Sequence, residues 1–544
     1  MLQRYRAFIV LVALSFLIYL PFLRNQLVWD DEQFIYNNAY VREFRVDKLL
    51  TENTIAGAGE QSNYYRPLTS ISLALDYQFW QTNPIGFHLT NLLLHTTAGL
   101  LLFSLLQALG LSRQASFWIS AAFLAHPAQV EAVTYANSRG DSMYAVFGMA
   151  SLLSFTRLLQ SSAFKLNIYN LRFHFSSLFL ACTTLITYIA AILGKEIGIA
   201  ILGLHVLILL RFAILKKNKW KWLRSQKIPI AALLGLICVA ICYLLLRMTA
   251  LNFVNSFNFY GNSESLYAQS LVVRVLTFSK IIWIYLQILV FPYPLHMERD
   301  TSLVQTALSP WPWLSLSMVV TVASAGWHEW RLRNSTWIWF GAGWATIMLA
   351  PVSGLIPING LLYEHWLYTP LIGLAVLLYG VMQLVKFSPP KSLGISIVII
   401  WILFSWRQNH IWSTPERLYT HILTYAQTGR IHNNLAMAYA ESGKHELAEK
   451  EYQAALKISD HYPQIYFNLA NTYVAQKKWE LAITNYQAAL ALNPNFEPAY
   501  PRLILLYAQE GDLAVADQLF ADWQNVSNNT SDQENVQKYL ESLN

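Results

Sequence analysis

The strongest constraint on this chain is a series of apolar segments, each long enough to cross a bilayer. A spanning helix needs about 20 mostly apolar residues. Such stretches fall near 6–23, 89–109, 115–133, 142–160, 176–194, 197–215, 228–247, 313–328, 335–351, 366–385 and 393–406. Lipid leaves no partner for an open backbone, so only helices and closed barrels can span it. Uninterrupted apolar runs select helices. The expected fold class is therefore all-α: a polytopic helical membrane domain with about eleven transmembrane helices. Composition agrees, with 55% hydrophobic and 13% charged residues, where a soluble domain carries about 25% charged. Cys182, Cys238 and Cys242 lie within apolar spans without metal or disulfide spacing and read as packing residues. The segment 1–22 has basic residues but no small-residue cleavage site, and reads as a retained first span.

The net charge of +7 gathers in a few short loops. It reports topology rather than nucleic-acid binding, and no nucleic-acid partner is expected. Arg4 and Arg6 place the N-terminus in the cytoplasm and the following loop outside. Alternation then puts Arg157, Lys165, Arg172 and the Lys216–Lys227 run inside. The stretch 271–291 is ambiguous. Read as re-entrant or interfacial, it returns Arg331, Arg333, Lys386 and Lys391 to the cytoplasm and puts the C-terminal region outside, and this reading is preferred. Residues 64–82 read as an amphipathic interfacial helix.

After Trp406 the composition changes and a repeat of 34 residues begins. Leu435/Leu469, Tyr439/Tyr473, Ala448/Ala482, Tyr452/Tyr486 and Ala455/Ala489 coincide. This is the tetratricopeptide (TPR) pattern, in which small alanines let paired helices approach. A degenerate third unit keeps Leu503, Tyr507, Gly511, Ala516 and Phe520 in register. The expected divisions are 1–410 for the membrane domain, with a first outer loop at 24–88, then 411–525 for the repeats and 526–544 for a polar tail.

Polar residues collect at one end of the spans. Trp29-Asp30-Asp31-Glu32 follows the first span. His88, Asn91 and His95 share one helix face, and serve either helix–helix hydrogen bonding or a lined cavity. His126-Pro127 and Glu131 close the third span, and Arg139 and Asp141 open the fourth. Arg139 either binds phosphate or pairs with Asp141. Lys195-Glu196 and Glu364-His365 lie at the same level, and Arg66 precedes the amphipathic helix. Ionisable groups at a membrane edge are functional candidates. An outer carboxylate can deprotonate an acceptor hydroxyl. Cations and histidines can hold a phosphate leaving group. Together these fit transfer of a sugar from a lipid carrier. No Walker A or GxGxxG pattern is present, which argues against direct ATP use or a nucleotide-sugar fold.

Trp29-Asp30-Asp31, Tyr64-Tyr65-Arg66-Pro67-Leu68 and the tract from Gly86 to His95 resemble the bacterial relatives of the transmembrane-and-TPR protein O-mannosyltransferases. So do His126-Pro127 with Glu131-Ala132-Val133, Arg139 with Asp141, and Lys195-Glu196. These are GT-C type glycosyltransferases joined to repeats, and the resemblance covers nearly the whole chain. It implies inverting transfer of mannose or another hexose from a polyprenyl-phosphate sugar to an acceptor hydroxyl, on protein Ser/Thr, at the extracytoplasmic face of an inner membrane. It gives the role of base to Asp30, with Asp31 as partner or alternative. From the polar residues gathered at this level, the expected substrate-binding set is Arg66, His88, Asn91, His95, His126, Glu131, Arg139, Asp141, Lys195, Glu196, Glu364 and His365. The repeats would recruit a protein acceptor. Metal dependence varies among such enzymes, so no metal and no cofactor are claimed. One departure stands out: the family commonly has Glu-Arg where this chain has Glu364-His365.

Two other classes compete. A non-enzymatic TPR scaffold would need only one span as an anchor. A transporter would show repeated membrane halves or broken midplane helices, and no such symmetry is seen.

Overall fold

The computed structural model describes residues 2–160, 163–168, 171–253, 266–299, 301–356, 358, 360–527 and 530–542. The chain forms two compact units, Met1–Ser413 and Thr414–Asn544. Helices build both; among the described residues the one sheet is an antiparallel hairpin of Ala163–Ile168 and Leu171–Ser176.

In the first unit seven helices among the described residues are long and apolar enough to cross a membrane: Tyr5–Phe22, Pro84–Ala108, Ala136–Gln160, Ser177–Gly194, Glu196–Ile214, Lys227–Met248 and Leu271–Val290. Local signals set their ends. Pro84 sits in a first turn capped by Asn83, whose Oδ1 accepts from the Ile85 amide at 3.1 Å.

The remaining expected spans are shorter or more polar. The segment 115–133 becomes the 13-residue helix Arg113–Ala125, stopped at His126-Pro127, then a turn and Val130–Thr134. Proline supplies no N–H to continue the ladder. Trp337–Leu349 and Pro370–Leu384 have 13 and 15 residues and pack backbone to backbone. A Cβ on Gly341 would lie 2.3 Å from the Leu377 nitrogen, and one on Gly373 2.5 Å from that of Ala345. Small residues permit this close approach in membranes. Pro310–Arg333 and Lys391–Ile411 are long but carry charged ends.

Leu271–Val290 is one unbroken helix of 20 residues, which removes the re-entrant alternative for 271–291. Arg274 near its start donates to the Gly354 carbonyl at 2.6 Å, and the Tyr285 hydroxyl near its end donates to that of Tyr363 at 3.4 Å. Both ends meet the connection between Val352 and Pro370, and the helix is long and apolar enough to cross a membrane. The stretch 64–82 contains the helix Pro67–Trp80, which buries Thr69 and Ser70 beside Leu73 and Ala74 and exposes Leu75, Phe79 and Trp80. The cysteines differ from expectation: all three are exposed on the outside of their helices rather than packed.

The second unit stacks helix pairs, Gly429–Glu441 with His445–Ile458, Pro463–Ala475 with Trp479–Leu492, and Ala499–Glu510 with Leu513–Val526. Pro415–Leu423 precedes them and Thr530–Glu541 follows. Ala448, Ala455, Ala482 and Ala489 are fully buried where the pairs close on each other. Each pair turns through one left-handed residue, Gly443 (φ +73°), Lys477 (φ +59°) and Gly511 (φ +83°). A cavity of about 330 Å³ opens among Met437, Glu441, His445, Asn468, Asn471 and Thr472.

Candidate active site

The acidic loop makes a tight turn in which its two aspartates part. Trp29 takes up φ +60°, a conformation that strains any residue with a Cβ. The Asp31 amide donates back to the Val28 carbonyl at 3.2 Å. The Asp31 side chain is 1% exposed. Its Oδ2 accepts from the Val28 amide at 3.0 Å and its Oδ1 from the Asn137 amide at 2.8 Å. Burial pushes this carboxyl up to about 7, although both amides pull the other way. Asp30 is exposed. Asp31 thus pins the loop to the entry of the Arg139–Gln160 helix, and Asp30 is presented outward.

Four residues beyond Asn137, the same entry supplies Asp141. Its Oδ2 accepts from Lys195 Nζ at 2.7 Å, with the two side chains 1% and 7% exposed. Gly140 allows this approach, since a Cβ there would stand 3.1 Å from the Gly194 carbonyl oxygen. Burial lowers the Lys195 ammonium pKa, with Asp141 opposing. Asp141 Oδ1 is buried without a hydrogen-bond partner. Beside this pair Arg66 Nε reaches Glu196 Oε2 at 2.9 Å, and Thr69 Oγ1 donates to the Gly194 carbonyl at 2.7 Å.

The Glu364–Leu367 turn completes the cluster. Glu131 Oε1 meets His365 Nδ1 at 2.7 Å, and Glu131 Oε2 accepts the His365 amide at 3.0 Å. Glu364 Oε1 accepts from Arg299 at 2.7 Å and from the His296 amide at 2.7 Å. Burial pushes Glu364 up to about 7 against the pull of Arg299. Burial, and after it Lys195, bring His365 down to about 3, so its ring is neutral and Nδ1–H is donated to Glu131. Lys195, Asp141 and Arg66 all act electrostatically on His365, and Lys195 and Arg299 on Glu131. Arg66, Glu131, Asp141, Lys195, Glu196, Glu364 and His365 therefore share one cluster. Arg299 belongs with them, although the motifs of the sequence do not single it out. Its one sequence signal is the charged run Glu298-Arg299-Asp300 closing an apolar stretch.

The other expected site residues are built into helix packing. Arg139 is fully buried and pairs neither with Asp141 nor with open space. Its guanidinium donates to Asn91 Oδ1 at 2.8 Å, Ser72 Oγ at 3.0 Å and the Phe87 carbonyl at 3.0 Å, and meets Asp76 at 2.5 Å. All three nitrogens are thus engaged inside the helix packing. His88, Asn91 and His95 are buried, and their described hydrogen bonds run to neighbouring segments, with His88 Nδ1 left without one. His88 Nε2 reaches the Asn25 carbonyl at 3.0 Å, and Asn91 donates to Val133 and Tyr135. His95 Nδ1 meets the Tyr368 hydroxyl at 2.7 Å. His126 caps its turn, with Nδ1 accepting from the Ala128 amide at 3.2 Å and Nε2 bonding the Leu289 carbonyl at 3.2 Å. Among the described residues no three His, Cys, Asp or Glu side chains gather as a metal site.

Fold and cluster together define a polytopic helical membrane protein with a buried charged site and a TPR domain. A tetratricopeptide repeat family model matches residues 427–495. A protein O-mannosyl-transferase of Caenorhabditis elegans is 24% identical over 480 residues, 85% of this chain and 64% of that protein. Protein O-mannosyl-transferase TMTC4 of Homo sapiens is 25% identical, over 79% of this chain and 63% of its own. The chain is similar to these protein O-mannosyl-transferases over most of its own length, and spans less than two thirds of the length of each. Among solved structures, the Archaeoglobus fulgidus oligosaccharyltransferase matches 80% of this chain and 60% of its own at 10% identity, with a TM-score of 0.41.

Proposed function

We propose that this chain is a membrane glycosyltransferase that moves mannose or another hexose from a polyprenyl-phosphate donor to an acceptor hydroxyl, of protein Ser or Thr, on the extracytoplasmic face. The observation that carries this reading is the junction at the start of the Arg139–Gln160 helix. Within five residues it anchors the turn that presents Asp30, through Asn137, and holds the Lys195 cluster, through Asp141. A base and a cationic site are thereby fixed to one rigid element.

In this mechanism Asp30 takes the acceptor proton and the hydroxyl oxygen attacks the anomeric carbon from the face opposite the phosphate. The bond to the phosphate breaks with inversion. Arg66, Lys195 and Arg299 balance the negative charge that develops on the departing phosphate. The repeats hold the protein acceptor, and the cavity between Met437 and Thr472 is a suitable seat for it. The test is transfer of radiolabelled sugar in membranes holding wild type or Asp30→Asn, with a panel of polyprenyl-phosphate sugars. Label that appears with wild type and vanishes in the variant supports the reading. Equal label in both would sink it.

A further inference from the structure

Glu131 holds His365 at two points, the backbone amide and ring Nδ1, so the ring is fixed in position and rotation. Tyr363 stacks on it with centroids 5.4 Å apart and planes at 17°, and Trp366 meets it edge-on at 6.0 Å. With Nδ1 committed, Nε2 is the nitrogen left to meet a substrate. The charged groups facing the ring come from several segments: Glu131, Lys195, Asp141 and Arg66, with the Glu364–Arg299 pair alongside. The Pro127–Gln129 turn brings no ionisable side chain, and the Pro370–Leu384 helix only Tyr379.

We propose that the Glu131–His365 pair is the acid that meets the departing phosphate, giving it the Nε2 proton as the sugar–phosphate bond breaks. This rests on the lipid-phosphate donor proposed above. An anion at Nε2 opposes the effects that keep the ring neutral, so donor binding draws one proton from solvent onto the ring. The Glu131 carboxylate balances the imidazolium charge. On cleavage the electron pair of the carbon–oxygen bond goes to the phosphate oxygen. That oxygen takes the Nε2 proton and the lipid phosphate leaves as a monoanion. The ring returns to its neutral form with the proton on Nδ1. The acceptor's proton goes separately to Asp30.

The test is binding of a short-chain polyprenyl monophosphate to the full-length, detergent-solubilised chain at pH 6, 7 and 8. Wild type, His365→Gln and His365→Arg are compared; the ligand's own titration is common to all three. Wild type is expected to bind about tenfold more tightly at pH 6 than at pH 8. Binding by His365→Gln should be weak and keep only a reduced pH dependence, that of the ligand and of the neighbouring buried carboxyls of Glu131 and Glu364. Binding by His365→Arg should stay tight across the range, because guanidinium does not titrate there. A wild-type pH dependence that survives unchanged in His365→Gln overturns the proposal and leaves the donor reading standing. Failure of wild type to bind at any pH overturns both. If His365→Gln does not fold, Glu131→Gln serves instead: it keeps an acceptor for Nδ1–H, removes the balancing charge, and must move the pH midpoint down. An unmoved midpoint overturns the proposal.

Discussion

The membrane unit contains two buried polar networks that differ in how their arginines are held. Around Arg139, every guanidinium nitrogen has a partner among Asn91, Ser72, Phe87 and Asp76, while Asp76 Oδ2 and the neighbouring His88 Nδ1 lack hydrogen bonds. Around Lys195, pairs form in the same way, but Asp141 Oδ1 and Arg299 Nε are left without hydrogen bonds. Buried polar groups are normally satisfied. An arginine with an unmatched nitrogen can take an anion more readily than one with every nitrogen engaged, and the proposed site is placed at the second network for that reason. The two lie on one helix, with Arg139 and Asp141 only two residues apart.

Substitutions can break this contrast. The largest effect is expected at Asp30→Asn, where loss of a general base should lower transfer by about 10²–10⁴-fold. Its melting temperature should stay at the wild-type value, because Asp30 is exposed. Arg139→Gln should do the reverse and fail as a fold, losing about 3–5 kcal/mol because Asp76 keeps a buried charge without its partner. Thermal unfolding in detergent measures this, and a variant that melts normally but loses transfer would move Arg139 into the site.

Asp31→Asn tests the pin. The folded carboxyl sits at about 7, above the usual value of about 3.9. Its contribution to stability is therefore fully present below the unfolded value and is lost as pH rises through the folded one. Wild type should lose melting temperature between about pH 4 and 7, and Asp31→Asn should lose less over the same window. Equal slopes would show that Asp31 does not titrate there. The smallest effect is expected in the repeats. Lys477 occupies the left-handed turn where Gly443 and Gly511 stand in the neighbouring units. Lys477→Gly should add about 1 kcal/mol, because glycine adopts that conformation without a Cβ clash.

What could be read from the chain alone follows from range. The TPR units repeat at a fixed interval, so Ala448 and Ala482 announce their shared position. His126-Pro127 marks a helix end through proline's missing donor. Lys195-Glu196 shows itself by placing charge between two apolar runs. Pairing is different, because it depends on how distant segments cross. Nothing near Arg139 in sequence indicates Asp76, and nothing near Glu364 indicates Arg299. The His88, Asn91 and His95 stripe has the spacing of a lined cavity and of a helix seam alike. Only the neighbouring carbonyls of Asn25, Val133 and Leu124 decide for the seam.

The pinned turn at Asp31 also divides the first outer loop into a part that must keep its form and a part that need not. Past Asp31 the chain reaches an exposed tip at Gly59, Glu60 and Gln61 before returning to Arg66. A Cβ added at Gly59 would touch nothing within 4 Å. Asp30 is located by Val28, Asn137 and the Phe34 amide, which donates to its carbonyl at 3.1 Å, and none of these belongs to the tip. This tip is therefore a natural graft point, where an epitope, a fluorophore or a whole inserted domain can be carried while the base keeps its address.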